Sequence, residues 1–235
     1  MGSAKYDVVI IGSGPAGSTA AIECANEGLK VAMIEKLRHP RMKVCGGGVV
    51  KRAHDLFPVN IDSAVEKVVS DIELAWHKSN FSFVGHCDTP AIYMVMRQQL
   101  DKLLVEEAVK KGVEFFQDTE LSAIDARDDK VILKSKNDMW VADWVIAADG
   151  TGGNTAKLAG WEKDTRTAIP ALEAEVKLRP EAAAKLQTTR IDFEVIKYGY
   201  GWVFPKTNNL SIGVGRFQIV TAKLPPLKEI GRAHV

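Results

Sequence analysis

The residues Tyr6 to Ile11 read YDVVII, and Gly12 to Gly17 follow at once as GSGPAG. A short run of β-branched residues suits a strand buried on both faces. A glycine-rich GxGxxG turn directly after such a strand is the setting a dinucleotide fold requires. Ser18 to Glu27 has helix-forming composition, Gly28 is a natural stop, and Lys30 to Ile34 supplies a second strand that ends at Glu35. The β-α-β unit commits the chain to an α/β fold. Each part of the turn has a physical task. Gly12 makes the tight turn, Gly14 lets backbone amides approach phosphates, and Gly17 lets the helix pack closely on the strand. Pro15 and Ala16 complete the loop, and the helix N-terminus behind it favours negative charge. Glu35, eighteen residues past Gly17, is placed to accept hydrogen bonds from a ribose diol, with Lys36 beside it. An acid there disfavours a 2′-phosphate, so the nucleotide is of the FAD or NAD type.

With 235 residues, 46% apolar and 26% charged, the chain has room for one large domain or two interleaved ones. Its 31 basic residues against 30 acidic ones leave a net charge of +1, which gives no reason to expect nucleic acid as a partner. No charged segment followed by an apolar core opens the chain, and no apolar run approaches ~18 residues. A soluble, cytoplasmic protein is the expectation. Cys24, Cys45 and Cys87 are too few and too irregularly spaced for a disulfide framework or a zinc site. His77 and His86 stand isolated, so no metal site is expected.

An NAD-type half would continue with a third short parallel strand, whereas here a polar stretch from Arg38 follows the second one. Arg97 then opens a helix with Leu100, Leu103, Leu104 and Ala108 on one face, ending at Gly112 before a strand from Val113 to Phe116. Residues 144–150 read WVIAADG, a buried strand ending in Asp149-Gly150. This placement resembles flavoproteins of the aromatic-hydroxylase type. The resemblance implies FAD, with Arg97 at the pyrophosphate, Leu121 beside adenine and Asp149-Gly150 bordering the cofactor. The chain departs from that pattern at Gly153, where the family prefers serine. Read from the residues alone, Asp149 can also be a simple turn residue.

Two further motifs narrow the resemblance. Pro40 to Gly48 reads PRMKVCGGG, and Tyr200 to Lys206 reads YGWVFPK, with Gly213 beyond it. Three consecutive glycines remove every side chain from a stretch of backbone, so its amides can approach a flat ring or a diphosphate. Tyr200, Trp202 and Phe204 alternate, so on a strand they share one face. Such a stripe is either ordinary core or a wall for an apolar ligand; Pro205, Lys206 and the glycines of the next strand favour open space beside it. As a pair the motifs resemble the geranylgeranyl reductase family of flavoenzymes, over nearly the whole chain. The resemblance implies that Cys45, Gly46, Gly47 and Gly48 lie against the flavin. It also implies that Tyr200, Trp202, Phe204, Pro205, Lys206 and Gly213 line an isoprenoid cavity. Cys45 reads either as a buried small hydrophobe or as a thiol beside the flavin that adjusts its redox behaviour or donates a proton.

The expected architecture is a Rossmann-like FAD-binding domain, residues 1–70 and 90–162, interleaved with a substrate-side antiparallel sheet domain, residues 71–89 and 163–229. A hairpin over Asp71 to Gly85 with a Lys-Ser-Asn turn is assigned to the second sheet. Family members carry a third flavin motif well past position 235, so the fold is expected to be truncated at its C-terminal end. Residues 230–235 can be encoded by a common sequencing-adapter read and are expected to be a non-native tail. The resemblance implies an FAD-dependent reductase that hydrogenates isolated double bonds of prenyl chains on lipid or pigment precursors. Its electron donor would be NAD(P)H or ferredoxin-like, and it would dock peripherally on the inner face of the membrane. The rivals are an FAD-dependent monooxygenase or halogenase on the same scaffold, and a non-catalytic prenyl- or quinone-binding flavoprotein.

Overall fold

A computed structural model describes residues 4–79, 81–127, 129–161 and 169–217. Asn80 of the expected hairpin turn, residues 163–168 of the expected second domain and the tail 230–235 lie outside the described residues. In chain order the strands are β1 (Ala4–Ile11), β2 (Val31–Ile34), β3 (Gly48–Val50), β4 (Val65–Val69), β5 (Asp71–Trp76), β6 (Phe81–His86), β7 (Ile92–Val95), β8 (Glu114–Phe116), β9 (Leu121–Ala126), β10 (Val131–Ser135), β11 (Met139–Ala147), β12 (Ala171–Lys177), β13 (Thr189–Phe193), β14 (Gly199–Pro205) and β15 (Asn209–Arg216). The α-helices are α1 (Pro15–Asn26), α2 (Lys51–His54), α3 (Arg97–Lys110), α4 (Thr155–Leu158) and α5 (Pro180–Lys185). The chain divides into two compact units, one drawn from Met1–Met42, Phe57–Ile61 and Gln98–Arg166, the other from Lys43–Leu56, Asp62–Arg97 and Thr167–Val235.

The first unit is built on a sheet of order β8-β2-β1-β11-β10-β9. Its first four strands run parallel, and β10 and β9 add antiparallel neighbours. Side chains of a strand alternate between faces, and β1 uses both. Val8 and Ile10 pack with Ala21 and Ile22 of α1 and with Val105 and Ala108 of α3. Val9 and Ile11 pack on the other face with Leu121, Leu133 and Trp140. The third parallel strand, expected to be missing after β2, is supplied by β8, reached only after the chain has built part of the second unit. The buried Tyr6 hydroxyl donates to Glu114 of β8 at 2.8 Å. The strand expected at residues 144–150 is present as the end of β11, but it is not buried throughout: Trp144 is 73% exposed.

The second unit carries a sheet of order β12-β15-β14-β13-β5-β6 and a smaller one of order β3-β7-β4. The β5–β6 hairpin joins the larger sheet through a parallel pairing of β5 with β13, while the sheet's other pairings are antiparallel. Residues 43–56, 62–70 and 90–97, read from sequence as part of the FAD-binding domain, group here instead, since Val69, Ile92 and Met94 pack with Ile72 and Phe204 of the larger sheet. Pairing brings the rest: β3 and β4 both bond to β7. Cross-strand register sorts the larger sheet by face. Ile72, Leu74 and Trp76 share a face with Phe81, Phe83, Ile191 and Phe193, and further across with Tyr200, Trp202 and Phe204. Glu73, Arg190 and Asp192 lie on the opposite face, where Arg190 bonds Glu73 at 2.9 Å and Asp192 at 2.7 and 2.8 Å.

Candidate functional site

In the first unit, Gly12 holds φ +98°, and a Cβ there would meet the Ala148 carbonyl oxygen at 2.4 Å. A Cβ on Gly17 would sit 1.9 Å from the Gly12 carbonyl oxygen. Gly12 is therefore required by contact and by conformation, and Gly17 by contact alone. The loop is held at its root, where Gly12 N donates to Ile34 O and Ala148 N to Ile11 O, each at 2.8 Å. Gly14 is the N-cap of α1 and Pro15 opens the helix, with no side chain capping its first turn. Ala16 is exposed at the loop's outer side. Such a turn leaves amides at a helix N-terminus for an anionic group.

Glu35 stands directly after β2, where an acid reads a ribose, yet its carboxylate is already engaged. Oε2 accepts from Ser13 N at 3.1 Å and Ser13 Oγ at 2.8 Å, and Oε1 accepts from Leu37 N at 3.0 Å. Arg41 adds an ion pair at 3.4 Å and reaches Asp101 of α3 at 3.1 Å, all three side chains being at most 9% exposed. Burial would raise the Glu35 pKa, but the hydrogen bonds from Leu37 and Ser13 and the Arg41 charge outweigh it and hold the carboxyl below its ordinary range. His39 Nε2 lies 2.7 Å from Ser13 Oγ. Because Ser13 gives its own proton to Glu35, His39 donates here, which places the ring proton on Nε2. Ser13, His39, Arg41 and Asp101 were not among the expected site residues, although Ser13 and Arg41 lie within the two quoted motifs GSGPAG and PRMKVCGGG. The signal that could have found Arg41 and Asp101 is a pair of opposite charges, one in the polar stretch and one on the apolar side of α3.

The remaining expected residues of this unit are placed as follows. Asp149 Oδ2 accepts from Thr155 N at 2.9 Å and from Thr155 Oγ1 at 2.5 Å, capping α4. A Cβ on Gly153 would fall 2.0 Å from the Asp149 carboxyl carbon, so in this conformation the position has no room for the serine of the family pattern. Gly150 follows at φ +76° with open space about it. Leu121 is 7% exposed within the core, and Lys36 is exposed. Arg97, assigned to the second unit, is half-buried at the first position of α3.

In the second unit the two motifs meet. A Cβ on Gly46 would lie 3.0 Å from the Phe204 ring and 3.2 Å from Trp202 Nε1, and one on Gly48 would lie 3.3 Å from Phe204. The triplet can rest on these rings because it carries no side chains. Gly47 holds φ +73°, and a Cβ there would be 2.1 Å from the Val95 carbonyl oxygen and 3.3 Å from Lys206 Nζ. Lys206 is 2% exposed and paired with Glu175. Pro205 is buried ahead of it. Trp202 Nε1 donates to Ser211 Oγ at 3.1 Å, and Ser211 donates to Glu173 at 2.6 Å. The indole lies across Gly213, where a Cβ would be 2.0 Å from its six-membered ring. Cys45 is exposed, which removes the reading of it as a buried small hydrophobe. The aromatic stripe extends well past the motif. Trp202 meets Phe204 at 6.3 Å and Tyr200 at 5.9 Å between ring centroids, and Tyr200 stacks on Phe217 at 5.0 Å. From Phe217 the contacts continue to Phe193 at 6.4 Å, Trp76 at 5.0 Å, Phe81 at 6.4 Å and Phe83 at 6.2 Å.

The FAD binding domain family matches residues 5–198. The chain belongs to this family. It is 32% identical over 223 residues to geranylgeranyl diphosphate reductase of Rhodobacter capsulatus, covering 90% of this chain and 54% of that protein. Among solved structures it is similar to a geranylgeranyl bacteriochlorophyll reductase-like protein of Thermoplasma acidophilum, with TM-score 0.79 and 26% identity over 92% of this chain and 57% of that one. The halogenase PltM, solved with phloroglucinol and FAD, shares the fold at TM-score 0.75 and 20% identity, over 97% of this chain and 55% of that one. The chain spans about half the length of the curated relatives it matches. FAD is its cofactor, and the glycine-rich turn with the α1 N-terminus behind it fits a dinucleotide pyrophosphate. Gly12, Gly14, Pro15, Ala16 and Gly17 would hold that group, and Glu35 would face its ribose.

Two predictions follow from the geometry around Glu35 and Gly213. Burial lowers the His39 pKa, with Arg41 acting the same way against the opposing pull of Glu35 and Asp101. The native state therefore keeps a neutral ring while the unfolded chain protonates near the ordinary value of about 6.5. Below that pH the unfolded chain binds more protons, so stability falls as pH drops, and Glu35 adds a second loss below about 4.3. Urea midpoints measured from pH 7.5 to 4 should decline in that order, and His39→Gln, which keeps a donor toward Ser13, should remove the first decline only. Gly213→Ala should displace the Trp202 indole and cost about 1–3 kcal/mol, seen as a shifted indole N–H resonance. Gly201→Ala, whose Cβ meets nothing nearer than 3.4 Å, should leave that resonance in place.

Proposed function

We propose that this chain is the cofactor-binding and substrate-binding part of an FAD-dependent reductase that hydrogenates isolated carbon-carbon double bonds of prenyl chains on lipid or pigment precursors. The observation that carries the reading is the aromatic wall of Tyr200, Trp202 and Phe204 with the Cys45-Gly46-Gly47-Gly48 segment seated on it. The names of the relatives support the same chemistry. Saturating an alkene takes one hydride and one proton, and reduced FAD, when bound, supplies the hydride. The residues of this chain hold the alkene in place, exclude water, and offer ring faces to positive charge developing at a tertiary carbon. Trp202 suits the task because Ser211 and Gly213 fix its plane. Cys45, exposed ahead of the glycines, is assigned the role of a thiol beside the cofactor and not that of a nucleophile.

A twenty-carbon tail gains about 15 kcal/mol on leaving water, at ~0.8 kcal/mol per CH₂, but almost none on leaving a bilayer. The substrate must therefore be taken from the membrane surface. Among the described residues no helix is long and apolar enough to cross a membrane, and the protein is expected to dock reversibly. Flotation with liposomes that carry prenyl lipid should bring it to the lipid layer, and its staying in the dense fraction would count against docking. NAD(P)H or a ferredoxin-like protein is the proposed electron donor.

The deciding experiment is anaerobic. With the flavin of the full-length protein reduced chemically and a geranylgeranyl lipid added, the substrate should gain hydrogen in pairs by mass spectrometry. No gain across several prenyl carriers, together with product that forms only when oxygen is admitted, would replace the reductase by a monooxygenase or halogenase.

A further inference from the structure

We propose that Asp101 is a positioning residue for the cofactor: by holding Arg41 off Glu35, it reserves one oxygen of that carboxylate for the adenosine ribose. The inference concerns the nucleotide end of FAD, so it is independent of what the flavin reduces. It rests on Glu35 facing the ribose.

The acceptor capacity of Glu35 is nearly used up. A carboxylate offers about four lone-pair sites. Oε2 accepts from the Ser13 amide at 3.1 Å and the Ser13 hydroxyl at 2.8 Å, and Oε1 accepts from Leu37 N at 3.0 Å. Among the described residues this leaves one site, on Oε1. An arginine beside a carboxylate commonly pairs with it fork to fork, through both oxygens. Arg41 so placed would occupy the site a ribose hydroxyl needs. Instead its Nε stays 3.4 Å from Glu35 Oε2, while its Nη2 lies 3.1 Å from Asp101 Oδ2.

That arrangement has a visible cost. Arg41 Nε is buried with no hydrogen-bond partner among the described residues, and a buried donor left unsatisfied calls for a physical reason. Turning the guanidinium onto Glu35 would satisfy it. Asp101 opposes the turn from α3, where it is 0% exposed on a face that otherwise buries Leu100, Leu104, Val105 and Ala108. Arg41 thus lends Glu35 its charge, which helps to keep the carboxyl ionised, without taking its last acceptor site.

The test is competition of ADP and 2′,3′-dideoxy-ADP with FAD for the full-length protein, read by flavin fluorescence. It compares wild type, Asp101→Asn and the double variant Arg41→Met/Asp101→Asn, which removes one charge of each sign; thermal midpoints confirm that each is folded. Wild type should favour ADP by about tenfold, the worth of a hydrogen bond to a charged group. In Asp101→Asn the guanidinium closes on Glu35, so ADP should lose that advantage while dideoxy-ADP competes as before. Removing Arg41 as well should restore most of the preference, which a merely structural role for Asp101 would not do. An Asp101→Asn protein that keeps the tenfold ratio, an equal weakening of both probes, or a double variant without recovery would overturn the proposal. Should the single variant not fold, the double variant decides, a preference near tenfold supporting the proposal and none overturning it. If wild type takes both probes alike, or neither, Glu35 does not read the ribose and the proposal falls with that reading, while the reductase reading stands.

Discussion

The contact on which the first unit depends is the approach of α1 to the end of β1, where a side chain on Gly17 would be 1.9 Å from the Gly12 carbonyl oxygen. That closeness brings Ser13 over the end of β2, so that its amide and hydroxyl both reach Glu35. Glu35 in turn holds Arg41, and Arg41 spans to Asp101 on α3. A buried charge is costly unless it is paired and hydrogen-bonded. The series is therefore stable only as a whole, and it ties loop, strand and helix into one rigid surface for the dinucleotide.

The second unit solves a different problem. An aromatic surface by itself is plastic, because rings slide over one another at little cost in free energy. Here hydrogen bonds remove that freedom: Ser211 takes the Trp202 N–H and passes its own proton to Glu173, while Lys206 and Glu175 satisfy each other at the edge of the same surface. A hydrogen-bonded polar network rigidifies what it touches. The glycine triplet then rests on rings whose orientation is set from below.

What was legible in the sequence is what local spacing controls. The turn from Gly12 to Gly17, the acid at Glu35, the helix from Arg97 and the hairpin after Asp71 each depend on neighbours a few residues away, and each stands in the structure. The ion pairs behind Glu35 were not legible, because Arg41 is brought to Glu35 and to Asp101 by the fold and not by local spacing. Residues 43–56 were assigned to the first unit because PRMKVCGGG was read through its relation to a cofactor. Their place is decided by β3, a three-residue strand bonded to β7, whose Ile92 and Met94 pack with Phe204 of the larger sheet. The exposure of Trp144 has the same origin: composition reports what suits a strand, and burial depends on what covers it.

The parallel seam between β5 and β13 has a kinetic consequence. Arg190 and Glu73, which bond across it, are 117 residues apart in sequence. Such a pairing must close a long loop before any contact rewards it, which slows folding. On a ribosome the β5–β6 hairpin emerges early and waits with the β5 edge unpaired until β13 has been made. An open strand edge is a template for wrong pairing, so the seam that joins this sheet in the finished protein is the edge most in need of protection while the protein is being synthesised.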